Sequence, residues 1–308
     1  MSVVSSPAFE NVVEGFTSAS GVKVRSQLGS KCTTFSIGGE LSALVEPESF
    51  EELQRAVQTL ASIGVAYRIL GNGSNLLISD SGISDFVIRL GRGFRFCNPI
   101  GGGIFEIGGA TSLMTLSREL SDLGWSGIEF AGGIPASLGG AVKMNAGAHG
   151  RDLAAVLCDV TFCTRAGEIE TVKASELNFS YRHSDLPEGS VVIKASIKLV
   201  KTNPLECSSK RAKYLAERKL RQPLTMPSAG SIFKNPTPTF TAGKLIESAG
   251  LKGSSVGGAQ VSQLHGNWIV NPERSAKASD VMSLIAICQK EVLEKDRISI
   301  HPELVLWE

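Results

Sequence analysis

Residues 68–79, Arg68-Ile69-Leu70-Gly71-Asn72-Gly73-Ser74-Asn75-Leu76-Leu77-Ile78-Ser79, join two apolar runs through five small or polar residues. Upstream, LSALVE (41–46) reads as a strand. Ser49 then opens Ser-Phe-Glu-Glu with Glu52 three residues on, a capping-box signature. FEELQRAVQTLASIG (50–64) keeps apolar residues at helical spacing up to Gly64, and VAYRIL (65–70) reads as a second strand. A β-α-β unit thus runs directly into GNGSN (71–75). Successive small residues can turn their N–H groups toward one anion. A dinucleotide fingerprint G-x-G-x-x-G would need glycine at position 76. Leu76 stands there, and LLIS continues as strand instead of helix, so the Rossmann reading fails. Taken alone, GNGSN is either a hairpin turn or a phosphate loop.

A second stretch narrows this. After GIFEIGGA and an amphipathic helix at SLMTLSRELSDLG (112–124), capped by Thr111 or Ser112, comes GGIPASLGGAVKMNAGAHG (132–150). It is too rich in glycine and alanine to fill a core and too apolar for a solvated linker. Two separated small-residue loops suit a dinucleotide with a diphosphate and a flat ring. VTFCTRAGEIETV (160–172) reads as a hairpin turning at Ala166-Gly167, and VVIKASIKLV (191–200) as a strand. KTNPLECSSKRAKYLAERKLRQP (201–223) is basic and helical after Pro204. Its Lys/Arg run is expected to be a solvated face, and the segment to connect into another subdomain. PSAGSIFKNP (227–236), a short helix AGKLIESAG (242–250), a final helix over about 279–294 behind Ser279 and a strand-like tail ISIHPELVLWE (298–308) follow.

At 308 residues the chain exceeds what one core usually fills, so two or three subdomains are expected. A net charge of +1 offers no electrostatic case for nucleic acid or an anionic membrane as partner. The opening MSVVSSPAFENVVEG lacks a basic segment followed by an apolar one, no run reaches the ~18 apolar residues of a bilayer span, and a cytoplasmic protein is expected. Six scattered cysteines read as reduced thiols, and four dispersed histidines supply no metal site.

Seven stretches occur in an order that resembles the UDP-N-acetylenolpyruvoylglucosamine reductase family, from about residue 32 onward: RILGNGSNLLIS, GGIPASLGGAVKMNAGAHG, FSYRHS, RQPLTMPSAGSIFKNP, AGKLIESAGLKG, GGAQVSQLHGNWIVN and HPELVLW. GNGSN is shared with other flavoproteins of the fold, whereas YRHS and GSIFKNP point to the reductase, of the shorter family type. Ala136-Ser137 replace the family's usual Gly-Thr, and His149 its usual Tyr.

The resemblance implies an α+β fold. A two-part FAD-binding region of the PCMH, vanillyl-alcohol-oxidase-like kind (1–82 and 83–202) is followed by a smaller α+β substrate-binding domain (203–300) and a tail (301–308) carrying a catalytic glutamate. It implies noncovalent FAD held by Gly71, Asn72, Gly73, Ser74 and Asn75 and by Ile134, Pro135, Ala136, Ser137, Gly139, Gly140 and Asn145. NADPH is the implied hydride donor, and UDP-N-acetylglucosamine enolpyruvate the implied substrate of a monomer.

Reducing an enol ether of pyruvate builds negative charge beside a carboxylate. In the family's pattern Arg182 stabilises it, Ser231 donates the proton and Glu303 polarises the double bond. Tyr181, Lys234, Asn235 and Gln260 are the implied substrate contacts. His265 and Asn267 are lesser candidates, and His183 reads as a satisfied loop histidine. Two alternatives stand beside this: another FAD-dependent oxidoreductase of the same fold, and a non-catalytic nucleotide sensor. The first has no need of YRHS or GSIFKNP. The second would lack one of Arg182, Ser231 and Glu303, yet all are present.

Overall fold

The structure, a computed structural model, describes residues 7–237 and 239–308; the first six residues of the stretch read for a leader lie outside them. The first sheet has strand order Val24–Leu28, Glu40–Val45, Ile83–Ile88, Tyr67–Ile69. Helix α1 (Pro7–Ser20), unread in the sequence, packs on α2 (Phe50–Ser62) and sets the Phe16 ring 4.9 Å from that of Phe86. Ser49 Oγ accepts from Glu52 N at 3.2 Å, and Gly64 follows the helix at φ +67°. The expected β-α-β unit forms but is opened. Ile83–Ile88 lies between its two strands and pairs parallel with both. Phe86, Val87 and Ile88 are fully buried, so that strand takes the centre; the shorter, partly exposed Tyr67–Ile69 takes the edge.

The second sheet is antiparallel, in the order Ile169–Lys173, Leu157–Cys163, Val191–Lys198, Ile104–Gly108, Cys97–Gly101. Helix α3 (Leu113–Asp122) is capped by Ser112, whose Oγ accepts from Thr115 N. A six-residue helix, α4 (Leu138–Lys143), arises inside the glycine-dense stretch, with Ser137 as its cap. Leu113, Leu116, Leu120, Leu138 and Val142 from these helices bury against Phe105, Ile107, Val160 and Phe162 of the sheet. Cys163, Val191 and Ile193 join the cluster of Ala43, Val45 and Phe86, so the two sheets share one apolar seam.

Helix α5 (Pro204–Arg221) starts with proline in its first turn and with Asn203 Oδ1 accepting from Leu205 N at 2.9 Å. It packs on α3 and on the 3-10 turn Glu129–Gly133. Its basic run is therefore not all solvated, because Arg211 and Arg218 lie against Gly132 and Gly133.

The third unit sets α6 (Ala242–Ser248) and α7 (Ala278–Asp296) on the small antiparallel sheet Ser255–Val256, Ala259–Val261, Ile269–Val270. Two devices tie it to the first unit. Leu76–Ile78, directly after the first glycine loop, pairs parallel with Val305–Trp307, so residues 305–307 rejoin residues 76–78. Asp80 accepts from Ala278 N (2.7 Å), Ser279 N (3.1 Å) and Ser279 Oγ (2.9 Å). Asp80 thus satisfies the first N–H groups of α7, which starts one residue before the expected Ser279.

No helix among the described residues is long and apolar enough to cross a membrane, and they contain no cluster of His, Cys, Asp and Glu suited to a metal. All six cysteines are free, and burial pushes Cys163 up to about 11 and Cys288 up to about 12.

Candidate active site

The first glycine loop leaves the edge strand where Leu70 N donates to Ile88 O at 2.9 Å. Gly73 sits at φ +63°, and a Cβ there would lie 2.1 Å from Cys32 O and 2.9 Å from Thr33 Cα; only glycine fits. A Cβ on Gly71 would lie 2.7 Å from Ser137 Oγ, and Asn72 Nδ2 donates to Pro135 O at 3.2 Å. The two glycine loops therefore face each other. Among the described residues, the N–H groups of residues 71–75 meet no protein acceptor, and neither do those of Ala136 and Ser137. Leu138 and Gly139 are different. They donate to Thr111 O (2.8 Å) and Gly109 O (2.9 Å), tying α4 to the second sheet. A row of free donors in two opposed small-residue loops can cradle an anion such as a dinucleotide's diphosphate, and the residues present fit FAD. Gly139 serves the packing beneath it: a Cβ there would meet Gly109 O and Val192 O at 3.3 Å.

Residues from all three parts of the molecule converge on Glu303. The GSIF stretch runs beside residues 301–304: Glu303 N donates to Ile232 O (2.8 Å), Lys234 N to His301 O (2.9 Å), and Phe233 bridges Pro302. Asn75 Nδ2, from the first glycine loop, donates to Glu303 O at 3.0 Å. Arg182 Nε donates to Glu303 Oε1 at 2.7 Å. One glutamate is thus held by all three parts of the molecule. Its side chain is only 11% exposed, and burial pushes its carboxyl up, against the opposing pull of Arg182 and then Lys234.

Arg182 occupies a tight turn in which Ser180 and His183 exchange both main-chain hydrogen bonds, and its φ is +57°. Its Nη2 donates to Gly147 O at 3.3 Å, and its guanidinium lies 4.9 Å over the ring of half-exposed Tyr181. His183 faces Asp185 at 2.8 Å. Asn145 is buried at φ +40°. It donates to Asp152 Oδ2 (3.1 Å) and Ser180 O (3.0 Å), and its Oδ1 accepts from Ala154 N (3.1 Å). One of its side-chain donor bonds thus goes to the Arg182 turn and the other to Asp152.

Ser231 follows Gly230 at φ +77°. Its neighbours are pinned by Asn267: Ile232 N donates to Asn267 O, Phe233 N to Asn267 Oδ1, and Asn267 Nδ2 to Phe233 O, each at 2.9 Å. The Ser231 hydroxyl makes no hydrogen bond among the described residues. It lines a cavity of about 350 Å³ shared with Gln222, Asn235, Lys244, Glu247 and His265. Asn235 Oδ1 also accepts from Ala242 N, capping α6. Lys234 is exposed and acts on Glu303 through its charge. Gln260 lies on strand Ala259–Val261 with Nε2 donating to Gly253 O and Ser255 Oγ; no hydrogen bond links it to Arg182, Ser231 or Glu303. Gln222, Lys244 and Glu247 were not singled out in the sequence. Gln222 sits in the quoted RQP run, but the two α6 residues carried no signal beyond helical spacing.

The comparisons with known proteins agree with this geometry. Residues 222–307 match the model of the UDP-N-acetylenolpyruvoylglucosamine reductase C-terminal domain, and residues 41–173 that of an FAD binding domain. The reductase of Bacillus licheniformis is 42% identical over 274 residues, covering 88% of this chain and 89% of that one. The Bacillus subtilis reductase is 40% identical over the same shares. The chain belongs to the UDP-N-acetylenolpyruvoylglucosamine reductase family. A solved reductase of that family, from Thermus caldophilus, superposes with a TM-score of 0.82 at 38% identity, over 93% of this chain and 100% of that one. The fold class is the expected one, an FAD-binding region followed by the reductase's own smaller domain. Both glycine loops lie within the matched FAD-binding residues, whereas Ser231 and Glu303 lie in the matched reductase domain.

Proposed function

We propose that this protein reduces UDP-N-acetylglucosamine enolpyruvate to UDP-N-acetylmuramate with NADPH, as a cytoplasmic monomer serving peptidoglycan precursor synthesis. The observation that carries the reading is the Arg182–Glu303 pair, held at 2.7 Å against the GSIF stretch and the first glycine loop. When bound, FAD would supply the two-electron hydride chemistry between NADPH and the enolpyruvyl group. The free N–H groups of residues 71–75, with those of Ala136 and Ser137, would hold its diphosphate. Arg182 presents a planar cation to the carboxylate whose neighbouring carbon gains charge. Glu303 fixes the guanidinium's direction. The Ser231 hydroxyl gives its proton to that carbon and regains one from solvent. Tyr181, Lys234 and Asn235 border the substrate, with Lys234 as a point charge for diphosphate, and Gln260 takes a more distant part of it.

The test is anaerobic. Protein-bound FAD bleached by NADPH should regain its oxidised-flavin absorbance on addition of the enolpyruvyl sugar nucleotide, with UDP-N-acetylmuramate formed in equal amount. A flavin that stays reduced sinks the reading. A different oxidoreductase of the fold would leave the Arg182–Glu303–GSIF arrangement without a task.

Asn145→Ala should keep its FAD through gel filtration yet lose roughly 10- to 100-fold in kcat, because Arg182 loses its fixed direction. Loss of flavin in step with activity would instead make Asn145 a cofactor ligand.

A further inference from the structure

Three buried nitrogens stand without partners where α5 meets the second glycine stretch: Arg211 Nε, Arg218 Nη1 and His149 Nε2. Arg211 has a counter-ion nearby, Asp122, 3.4 Å from its Nη2. Arg218 donates through Nε to Gln222 Oε1 at 2.7 Å, but no carboxylate reaches its guanidinium among the described residues. Glu217, next in sequence, pairs instead with His149, its Oε2 3.5 Å from His149 Nδ1. The His149 ring lies flat on Tyr214, with centroids 4.0 Å apart and planes at 12°. His149 and Arg218 thus flank one face of α5, and burial holds both below their ordinary pKa values.

A guanidinium taken out of water without a counter-ion is expensive, and an imidazole nitrogen with no partner adds to the cost. Such a pair calls for an anion from outside the chain. Its surroundings say what kind. Gly133 is bare against Arg218: a Cβ there would lie 2.7 Å from Nη1. Gly133 leads directly into Ile134–Ser137, whose last two N–H groups are free. On its other side, Arg218 holds Gln222, which lines the cavity of Ser231. The guanidinium therefore stands between the cofactor loop and the substrate cavity.

We infer that Arg218, with His149 beside it, is a binding site for the diphosphate of a nucleotide ligand. The inference rests on the reading above that the protein handles nucleotides. Diphosphate can come from FAD or from the soluble nucleotides that visit the cavity, and separate titrations distinguish them. Arg218→Met keeps the length of the side chain and removes the charge. His149→Phe keeps the stack on Tyr214 and removes both nitrogens.

For Arg218→Met the expected result is a roughly 10- to 100-fold loss of affinity, the worth of a charge-assisted hydrogen bond. If it appears when the FAD-stripped protein is titrated with FAD, the cofactor is the source. If it appears when the holoprotein is titrated with UDP or NADP+ and FAD affinity is unchanged, the visiting nucleotide is. His149→Phe should weaken the same ligand by a smaller factor. Unchanged affinity for all three ligands overturns the inference, and so does a loss confined to the enolpyruvyl compound, which would make the anion a carboxylate. With no nucleotide bound, the FAD-stripped protein of Arg218→Met should melt no lower than the FAD-stripped parent; a clearly lower melting temperature there would make Arg218 a structural residue and also overturn it. None of these readouts needs turnover, so a failure here is separable from a failure of the anaerobic test above.

Discussion

Ser231→Ala should leave reduction of the bound FAD by NADPH at the parental rate and slow reoxidation by the enolpyruvyl sugar nucleotide about 1,000-fold, within the range a positioned proton donor supplies. Gly230 at φ +77° bends the chain, and Ile232 is pinned on one side by Asn267 and on the other by Glu303 and Leu304. The hydroxyl between those anchors has no protein partner among the described residues and opens on a cavity. No histidine or lysine is hydrogen-bonded to it, which suits a proton donor and not an activated nucleophile. Removing one hydroxyl should shift stability within about 0.5 kcal/mol, since no protein hydrogen bond is lost. Stopped-flow absorbance separates the two half-reactions. Equal reoxidation rates for parent and variant would move the proton donor elsewhere.

Arg182→Met should lower kcat by 100- to 1,000-fold, the loss that follows removal of one donor to a developing oxyanion. It should also weaken the fold. Glu303 would stay buried without its cation, and breaking a buried pair costs roughly 3–5 kcal/mol; a carboxylate 11% exposed belongs near the low end. The pH dependence has a definite sign. Burial already raises the Glu303 carboxyl, and removing Arg182 removes an opposing pull, so the folded-state value rises further above the unfolded one. The fold then prefers the protonated form. Stability relative to the parent is retained below the ordinary glutamate range and is lost as pH climbs through the raised folded value. Urea denaturation of Arg182→Met at pH 5 and pH 8 should show a larger deficit at pH 8. Adding Glu303→Gln should remove most of that difference and leave kcat low. A deficit independent of pH would mean that Glu303 is not the group left stranded.

What could be read in the sequence follows how local each signal is. Ser49 and Ser112 cap their helices through bonds to residues three positions on, and Pro204 marks the first turn of a third, so those starts were legible. So were the helices they begin. The GNGSN loop was legible as a small-residue turn, but its opposition to Pro135 and Ser137 needed two sheets to be in place. Asn145 illustrates the limit. In sequence it looked like part of the flavin loop, whereas its partners Asp152, Ala154 and Ser180 lie in segments whose approach no local pattern announces. Central placement of Ile83–Ile88 between the two strands of the β-α-β unit was invisible for the same reason. Arg218 looks like one more charge on a solvated helix until Gly133 is seen against it.

The pairing of Leu76–Ile78 with Val305–Trp307 joins segments made far apart in the order of synthesis. Closing so wide a loop is entropically slow, and contacts of that span form late in folding. A folding intermediate can therefore hold both glycine loops, and accept the flavin, before Glu303 has reached Arg182. Flavin uptake would report an assembled scaffold, while competence would arrive only with the last strand. Refolding followed by flavin fluorescence and by activity should then give two separate clocks.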